Sequence, residues 1–246
     1  MLKTEREREI LRIIDERGGF ATVKGLCEAV FASESSIRRD LRALEKRGLI
    51  RRSHGGAQRN ENPSGGIAFS SRTVQNAAEK RAMADIARRL VKNGDIIFLD
   101  QSSSAFYLAE ALMENRTLTF VTNSVKILSL LSHSEARVYS SGGILCAENR
   151  DCLVGEDAAE TFARVRADLC FFSARSLSED GVISDLSREE VLVRAAMMKH
   201  AKKTVFLCNL AKRGTRSAYV QCTLDAVDIY INESGAFDKD GNRLSV

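Results

Sequence analysis

Apolar positions recur with a helical period over the first fifty residues and in continuous short runs beyond residue 95. Ile10, Leu11, Ile13 and Ile14 form one stripe, which predicts a helix beginning at Thr4, where Thr4 and Glu7 have the spacing of a capping box, and stopped by Gly18-Gly19. Thr22 caps a second, short helix through Val30, with Val23, Leu26, Cys27 and Val30 inward. After Phe31-Ala32, Ser33 caps a third helix that runs to about Arg47 and ends at Gly48. Its inward residues are Ile37, Leu41 and Leu44, four and three places apart. Residues 49–53 read as a strand and His54-Gly55-Gly56 as a tight turn. Two short helices, a capped third helix and a basic hairpin predict a winged helix-turn-helix.

Beyond the hairpin the pattern changes. Residues 58–66 contain the only proline and a glycine pair and lack an apolar anchor, which predicts a flexible boundary. We therefore expect a small domain over 1–57, a linker over 58–76 and a larger domain over 77–246. An amphipathic helix starts at Glu79 and stops at Asn93-Gly94. Apolar runs at 96–100, 118–123, 137–143, 167–174, 203–209 and 227–232 predict strands, several of them followed by helical segments such as REEVLVRAAMMKHA. Continuous apolar strands interleaved with helices predict an α/β domain with a mostly parallel sheet covered on both faces. The tail FDKDGNRLSV reads as a small hairpin.

Charge sharpens the division. The net charge is +4, yet residues 1–60 hold 14 Lys and Arg against 9 Asp and Glu, so the remainder is close to neutral. Residues 35–56 alone carry seven cations and two carboxylates. A basic module attached to a neutral domain points to a polyanion as its partner, and double-stranded DNA carries about one charge per 1.7 Å. With Ile37, Leu41 and Leu44 turned inward, the third helix presents Ser33, Ser35, Ser36, Arg38, Arg39 and Arg42. Its N-terminal residues Ser35, Ser36 and Arg39 suit base edges, whereas Arg38, Arg42, Arg51 and Arg52 suit phosphates and His54 belongs to the wing. Asp40 is placed to orient one of these arginines by an ion pair. A solvated basic face without a ligand is the alternative, and the two preceding helices and the wing argue against it.

The chain starts on charged residues and holds no run of 18 apolar ones, so no membrane segment is expected and a cytoplasmic protein is predicted. Six cysteines form no CxxC pair and only three histidines are present, so buried thiols and no metal or cofactor are expected.

The segment SESSIRRDLRALEKRGLIRRSHGGA, residues 33–57, resembles the N-terminal signature of the DeoR family of bacterial transcriptional regulators. Ser36 stands where that family usually has Thr. Phe31 stands where the turn commonly has Gly, which costs about 1 kcal/mol if the residue needs positive φ. The stretches AEKRAMADIA, GDIIFLD, LTFVTNS, LVG at 153–155 and AKRG at 211–214 resemble the family's sensor domain. Such a domain is related in fold to ribose-5-phosphate isomerase and CoA transferases. The resemblance implies a repressor of a carbohydrate-utilisation operon whose effector is a phosphorylated sugar, and paired half-sites ~10 bp apart on DNA predict a homo-oligomer.

Ligands of open α/β sheets settle beyond the carboxyl ends of the strands. The candidates there are Asp100, Ser102, Ser103 and Ser104 after the first strand, Thr122, Asn123 and Ser124 after the second, Gly142 and Gly143 after the third, and Lys212. The family pattern Asp-Ser-Gly-Thr-Thr is Asp100-Gln101-Ser102-Ser103-Ser104 here, and Ser173, Ser176, Asn209 and Ala211 also depart from it. Two other readings follow. One is a sugar-phosphate isomerase-like enzyme using Asp100, Asp185 and Lys212, and the other a DNA binder with a vestigial pocket; capping roles for these residues outweigh catalysis, so no catalytic residue is expected.

Overall fold

The structure is a computed structural model that describes residues 3–17, 20–47, 49–53, 55–59 and 69–245. The chain divides into two compact units, Met1–Arg72 and Thr73–Val246.

The first unit contains α1 (Lys3–Glu16), β1 (Phe20–Thr22), α2 (Val23–Val30), α3 (Glu34–Lys46), β2 (Ile50–Ser53) and β3 (Gly56–Arg59). Its core unites Ile10, Ile14, Leu26, Ile37, Leu41 and Leu44, the residues that the helical spacing put inward. The predicted caps of two helices form: Thr22 Oγ1 accepts from Gly25 N at 3.1 Å, and Ser33 Oγ accepts from Ser36 N at 3.4 Å. The Thr4 cap is not seen among the described residues. Helix α1 already includes Lys3, so Thr4 lies inside the first turn, and the Glu7 carboxylate accepts from Arg47 Nη2 at 2.6 Å. The stops at Gly18-Gly19 and Gly48 lie outside the described residues.

The wing holds more sheet than the hydropathy pattern predicts. Strands β1, β3 and β2 pair antiparallel in that order. Ala21 and Ala57 are buried partners in the β1–β3 register, so a three-residue strand suffices to cover the inner edge of the hairpin. A Cβ at Gly56 would sit 2.6 Å from the Ala21 carbonyl oxygen, so this closeness requires glycine. Phe31 has φ 51 and ψ 45, so the left-handed turn between α2 and α3 is kept without glycine.

Helix α4 (Phe69–Val74) spans the boundary between the units and falls within the segment predicted as linker. Phe69 is buried and Ser71 Oγ donates to the Arg47 carbonyl at 3.4 Å, anchors that a search for flexible composition overlooks. Residues 60–68 of that predicted linker lie outside the described residues.

The second unit runs α5 (Ala77–Ala87), β4 (Ile96–Leu99), α6 (Ser103–Leu112), β5 (Thr119–Thr122), α7 (Val125–Leu131), β6 (Arg137–Ser140), β7 (Ile144–Leu145), β8 (Leu153–Val154), α8 (Glu156–Ala163), β9 (Ala167–Phe172), β10 (Ser176–Leu177), β11 (Val182–Asp185), α9 (Arg188–Lys199), β12 (Ala201–Leu207), β13 (Tyr219–Thr223), β14 (Ile229–Asn232), β15 (Gly235–Asp238) and β16 (Arg243–Leu244). The large sheet has the order β16-β15-β14-β12-β9-β4-β5-β6. Its six strands from β14 to β6 are parallel, and the tail adds the predicted hairpin, β15 and β16, antiparallel at one edge.

Alternation along each strand fills both faces. Ile97, Leu99, Leu169, Phe171, Val205 and Leu207 pack with α5, α6 and α7, whereas Phe98, Cys170, Phe172 and Phe206 pack with α8 and α9. Two-sided burial explains why these strands read as unbroken apolar runs. Outside the large sheet lie a β7–β8 hairpin and a β10-β11-β13 sheet, too short or too polar for the hydropathy pattern to predict. Among the described residues no helix is long and apolar enough to cross a membrane.

Candidate nucleic-acid interface and sensor site

Burial of Ile37, Leu41 and Leu44 turns Ser35, Arg38, Arg39 and Arg42 of α3 to the exposed side. At its N-terminus the Ser33 hydroxyl reaches Ser36 Oγ at 2.9 Å and Ser35 Oγ at 3.1 Å, so the cap and two predicted contact residues form one hydroxyl cluster. Arg38 donates to Glu34 Oε1 through Nη2 at 2.6 Å and Nε at 2.9 Å. Arg52 does likewise to Glu45, Nε to Oε2 at 2.6 Å, and its backbone N–H donates to Oε1 at 3.0 Å. That backbone bond, followed by the guanidinium, holds the Glu45 carboxyl below the usual range. Arg39 and Arg42 form no ion pair among the described residues, which leaves them, like Lys46 in the last turn of α3, available to a ligand. Arg51 is a residue of β2, and His54 lies outside the described residues.

Asp40 orients none of these arginines. It is 1% exposed, and its Oδ2 accepts from Arg6 Nε of α1 at 2.6 Å. The physical reason is its position: residues 37, 40, 41 and 44 share one helical face, so Asp40 is carried inward with the aliphatic anchors.

In the second unit the predicted polar clusters lie at the carboxyl ends of β4, β5 and β6, with Lys212 beyond β12. Ser102 caps α6 through Ala105 N at 3.0 Å, Ser124 caps α7 through Ile127 N at 3.2 Å, and Thr122 Oγ1 accepts from Ser124 N at 3.0 Å. Ser103 and Ser104 open α6 and are buried. Gly142 and Gly143 have φ of 65 and 90. A Cβ at Gly143 would meet the Val154 carbonyl oxygen at 2.4 Å, so that glycine serves the approach of the β8 backbone. Lys212 Nζ donates to Ser173 Oγ at 3.0 Å and to the Ala174 carbonyl at 2.8 Å, which holds the ammonium over the end of β9.

Asp100 sits at the centre of a buried network. Its Oδ1 accepts from Ser102 N at 3.1 Å, and its Oδ2 from Ser173 N at 3.1 Å and Arg194 Nε at 3.2 Å. Arg194 also reaches Asp185 Oδ2 at 3.1 Å and Gln221 Oε1 at 3.1 Å. Burial opposes its charge, but Asp185 and Asp100 outweigh that and push its pKa up. A second chain runs beside the first: Asn123 Nδ2 donates to Gln101 Oε1 at 3.3 Å, Gln101 Nε2 to Glu190 Oε2 at 2.5 Å, and Asn149 Nδ2 to Glu190 Oε1 at 2.8 Å. Cys146 and Cys152 meet Glu190 at the far end of this chain. Among the described residues, Asn123 Oδ1 and both side-chain polar atoms of Asn209 are buried without a hydrogen-bond partner.

Arg194, Glu190 and Asn149 were not singled out from the sequence, and Gln101 entered only as a departure from the family pattern. A signal existed for two of them, because 190, 193, 194 and 197 repeat the period of a buried face and all four residues are buried. Asn149 and the cysteines meet Glu190 only through the β7–β8 hairpin, which carries no hydropathy signal.

Residues 6–62 match the model of the DeoR-like helix-turn-helix domain, and residues 75–234 that of the DeoR C terminal sensor domain. The chain is 32% identical over 240 residues to the HTH-type transcriptional regulator GlpR of Haloferax volcanii, covering 98% of this chain and 93% of that protein. It is 31% identical to the HTH-type transcriptional repressor CsqR of Escherichia coli, covering 84% and 78%, and 27% identical to the lactose phosphotransferase system repressor of Staphylococcus epidermidis, covering 97% and 95%. Among solved structures it is similar in fold to the tetrameric eIF2B-beta2-delta2 complex of C. thermophilum, with TM-score 0.50, 14% identity and coverage of 95% and 68%. Ribose 5-phosphate isomerase A of Methanocaldococcus jannaschii aligns with TM-score 0.43, 18% identity and coverage of 56% and 55%. A winged helix-turn-helix followed by an α/β sensor domain defines a DNA-binding transcriptional regulator rather than an enzyme. The chain belongs to the DeoR family.

Proposed function

We propose that this regulator represses a carbohydrate-utilisation operon as a homo-oligomer, and that a phosphorylated sugar bound at the carboxyl edge of β4, β5 and β6 shifts its operator affinity. The observation that carries the effector reading is the set of buried, unpartnered amide atoms of Asn123 and Asn209. Leaving such groups unpaired costs about 1–3 kcal/mol each, and a hydroxyl-rich ligand would satisfy them. Lys212 and the N-terminus of α6 supply charge and N–H donors for a phosphate. The name of the Staphylococcus epidermidis relative, a lactose phosphotransferase system repressor, points to the same class of regulated gene.

On the DNA side, Ser35, Ser36 and Arg39 read base edges while Arg38, Arg42, Arg51, Arg52 and His54 hold the backbone, with Ser33 organising the N-terminal turn. Arg38 and Arg52 exchange their carboxylate partners for phosphates on binding. Recognition of paired half-sites ~10 bp apart requires at least a dimer. The effector acts only through its differential affinity for two arrangements of the regulator.

The test is selection of the operator from random DNA, followed by thermal and DNA-affinity shifts with a panel of phosphorylated and free sugars. A phosphorylated sugar that raises the melting temperature and changes operator affinity supports the reading. A full panel without either effect contradicts it.

A further inference from the structure

The β7–β8 hairpin carries two cysteines to which the effector reading gives no role. Its register continues past Leu145 and Leu153 to set Cys146 opposite Cys152, with Cys146 N donating to the Cys152 carbonyl at 3.0 Å. Both thiols are buried, and with one carboxylate oxygen of Glu190 they place three ligand atoms within 4.8 Å of one another. Tetrahedral zinc bonds of about 2.3 Å to sulfur and 2.0 Å to oxygen set ligand atoms roughly 3.3–3.8 Å apart, so small side-chain movements close the site. Glu190 is oriented as a ligand would be: Asn149 donates to one of its oxygens at 2.8 Å and Gln101 to the other at 2.5 Å. Glu148 adds a carboxylate oxygen 3.3 Å from Cys146 Sγ, and it is exposed, which gives an ion a route in.

We infer that Cys146, Cys152 and Glu190 form a binding site for a zinc-class divalent cation, with Glu148 at its mouth as the fourth donor. The chemistry selects this class. Two thiolates exclude magnesium and calcium, and a carboxylate beside them suits zinc better than copper(I). Binding replaces two thiol protons with one divalent ion, and both protons leave to solvent. The buried charge is therefore unchanged in a region where Asp100, Asp185 and Glu190 already face a single guanidinium, that of Arg194.

Oxidation of the pair to a disulfide fits less well. Both thiols are buried, so a soluble oxidant reaches them poorly, whereas the exposed carboxylate of Glu148 beside Cys146 offers a cation a route in. A bound metal displaces the protons directly. Through Glu190, Gln101 and Asn123 the ion would brace the ends of β4 and β5, and this holds whatever effector the sensor binds.

The test uses the full chain, reduced and stripped of metal, titrated with cobalt(II) and then with zinc as competitor. The wild-type protein and the Cys222→Ser control develop a thiolate-to-cobalt charge-transfer band that saturates at one ion per chain and is abolished by zinc. Cys146→Ser and Cys152→Ser lose the band, and Gln101→Ala weakens zinc binding ~10–100-fold by releasing Glu190. Because the serine variants can lose their fold, alkylation mapped by mass spectrometry on wild-type protein provides a second readout. Zinc protects Cys146 and Cys152 and leaves Cys27 and Cys222 reactive. Absence of the band, a band unchanged in a folded Cys152→Ser, or zinc-independent alkylation of Cys146 and Cys152 overturns the site.

Discussion

Arg6 of α1 donates to the buried carboxylate of Asp40 at 2.6 Å, and this ion pair fastens α3 from behind while its arginines face outward. The two partners are not equivalent. Asp40 is 1% exposed, whereas the side chain of Arg6 is 21% exposed. Removing Arg6 strands a buried charge, whereas removing Asp40 leaves an arginine that turns to water. Arg6→Ala should therefore lower the stability of the DNA-binding unit more than Asp40→Ala does, measured by denaturant midpoint at neutral pH. Equal losses, or the reverse order, would show that the pair does not hold the helix.

The same pair shows how far the sequence can be read. Residues 37, 41 and 44 were legible as anchors because they are aliphatic, and Asp40 on the same face was not, because a carboxylate among arginines suggests a surface ion pair. Glu190 and Arg194 escaped notice for the same reason on α9, although they share a face with Val193 and Met197. The six parallel strands were legible because both of their faces are buried. The β7–β8 hairpin and the small β10-β11-β13 sheet were not, since they depend on pairings that no local period encodes. Polar residues at core-facing positions of a periodic segment were the overlooked signal.

Phe31 is 95% exposed and holds φ 51, a conformation costly for a side chain with a Cβ. Phe31→Gly relieves about 1 kcal/mol of backbone strain, partly offset by the greater freedom of the unfolded chain. Chemical denaturation should show a modest stabilisation. A loss of stability would mean that the aromatic ring makes contacts outweighing the strain.

Arg194 is fully buried between Asp100 and Asp185. Arg194→Leu leaves two carboxylates facing each other without a cation and should destabilise the sensor domain by about 3–5 kcal/mol. Thermal unfolding of the full chain measures this, and a change below about 1 kcal/mol, the scale of an exposed ion pair, would contradict the proposed burial.

Asp168 accepts from Lys202 Nζ at 2.6 Å and from Ile96 N at 2.9 Å, and these partners, the lysine first, hold its carboxyl below the ordinary value. A depressed carboxylate stabilises the fold fully above its unfolded value and loses that contribution as pH falls through the folded value. The stability difference between wild type and Asp168→Asn should thus be largest near neutrality and shrink below about pH 4. A difference that stays constant down the acid limb would remove Asp168 from the pH dependence.

The most direct measurement is the affinity of wild-type, Arg39→Ala and Arg51→Ala protein for the selected operator and for random duplex across a salt series. Arg39→Ala should lose about 1–3 kcal/mol on the operator with little change on random DNA, whereas Arg51→Ala should weaken both alike and flatten the salt dependence. Equal losses on both duplexes for both variants, or no loss for either, would contradict a recognition role for the exposed face of α3.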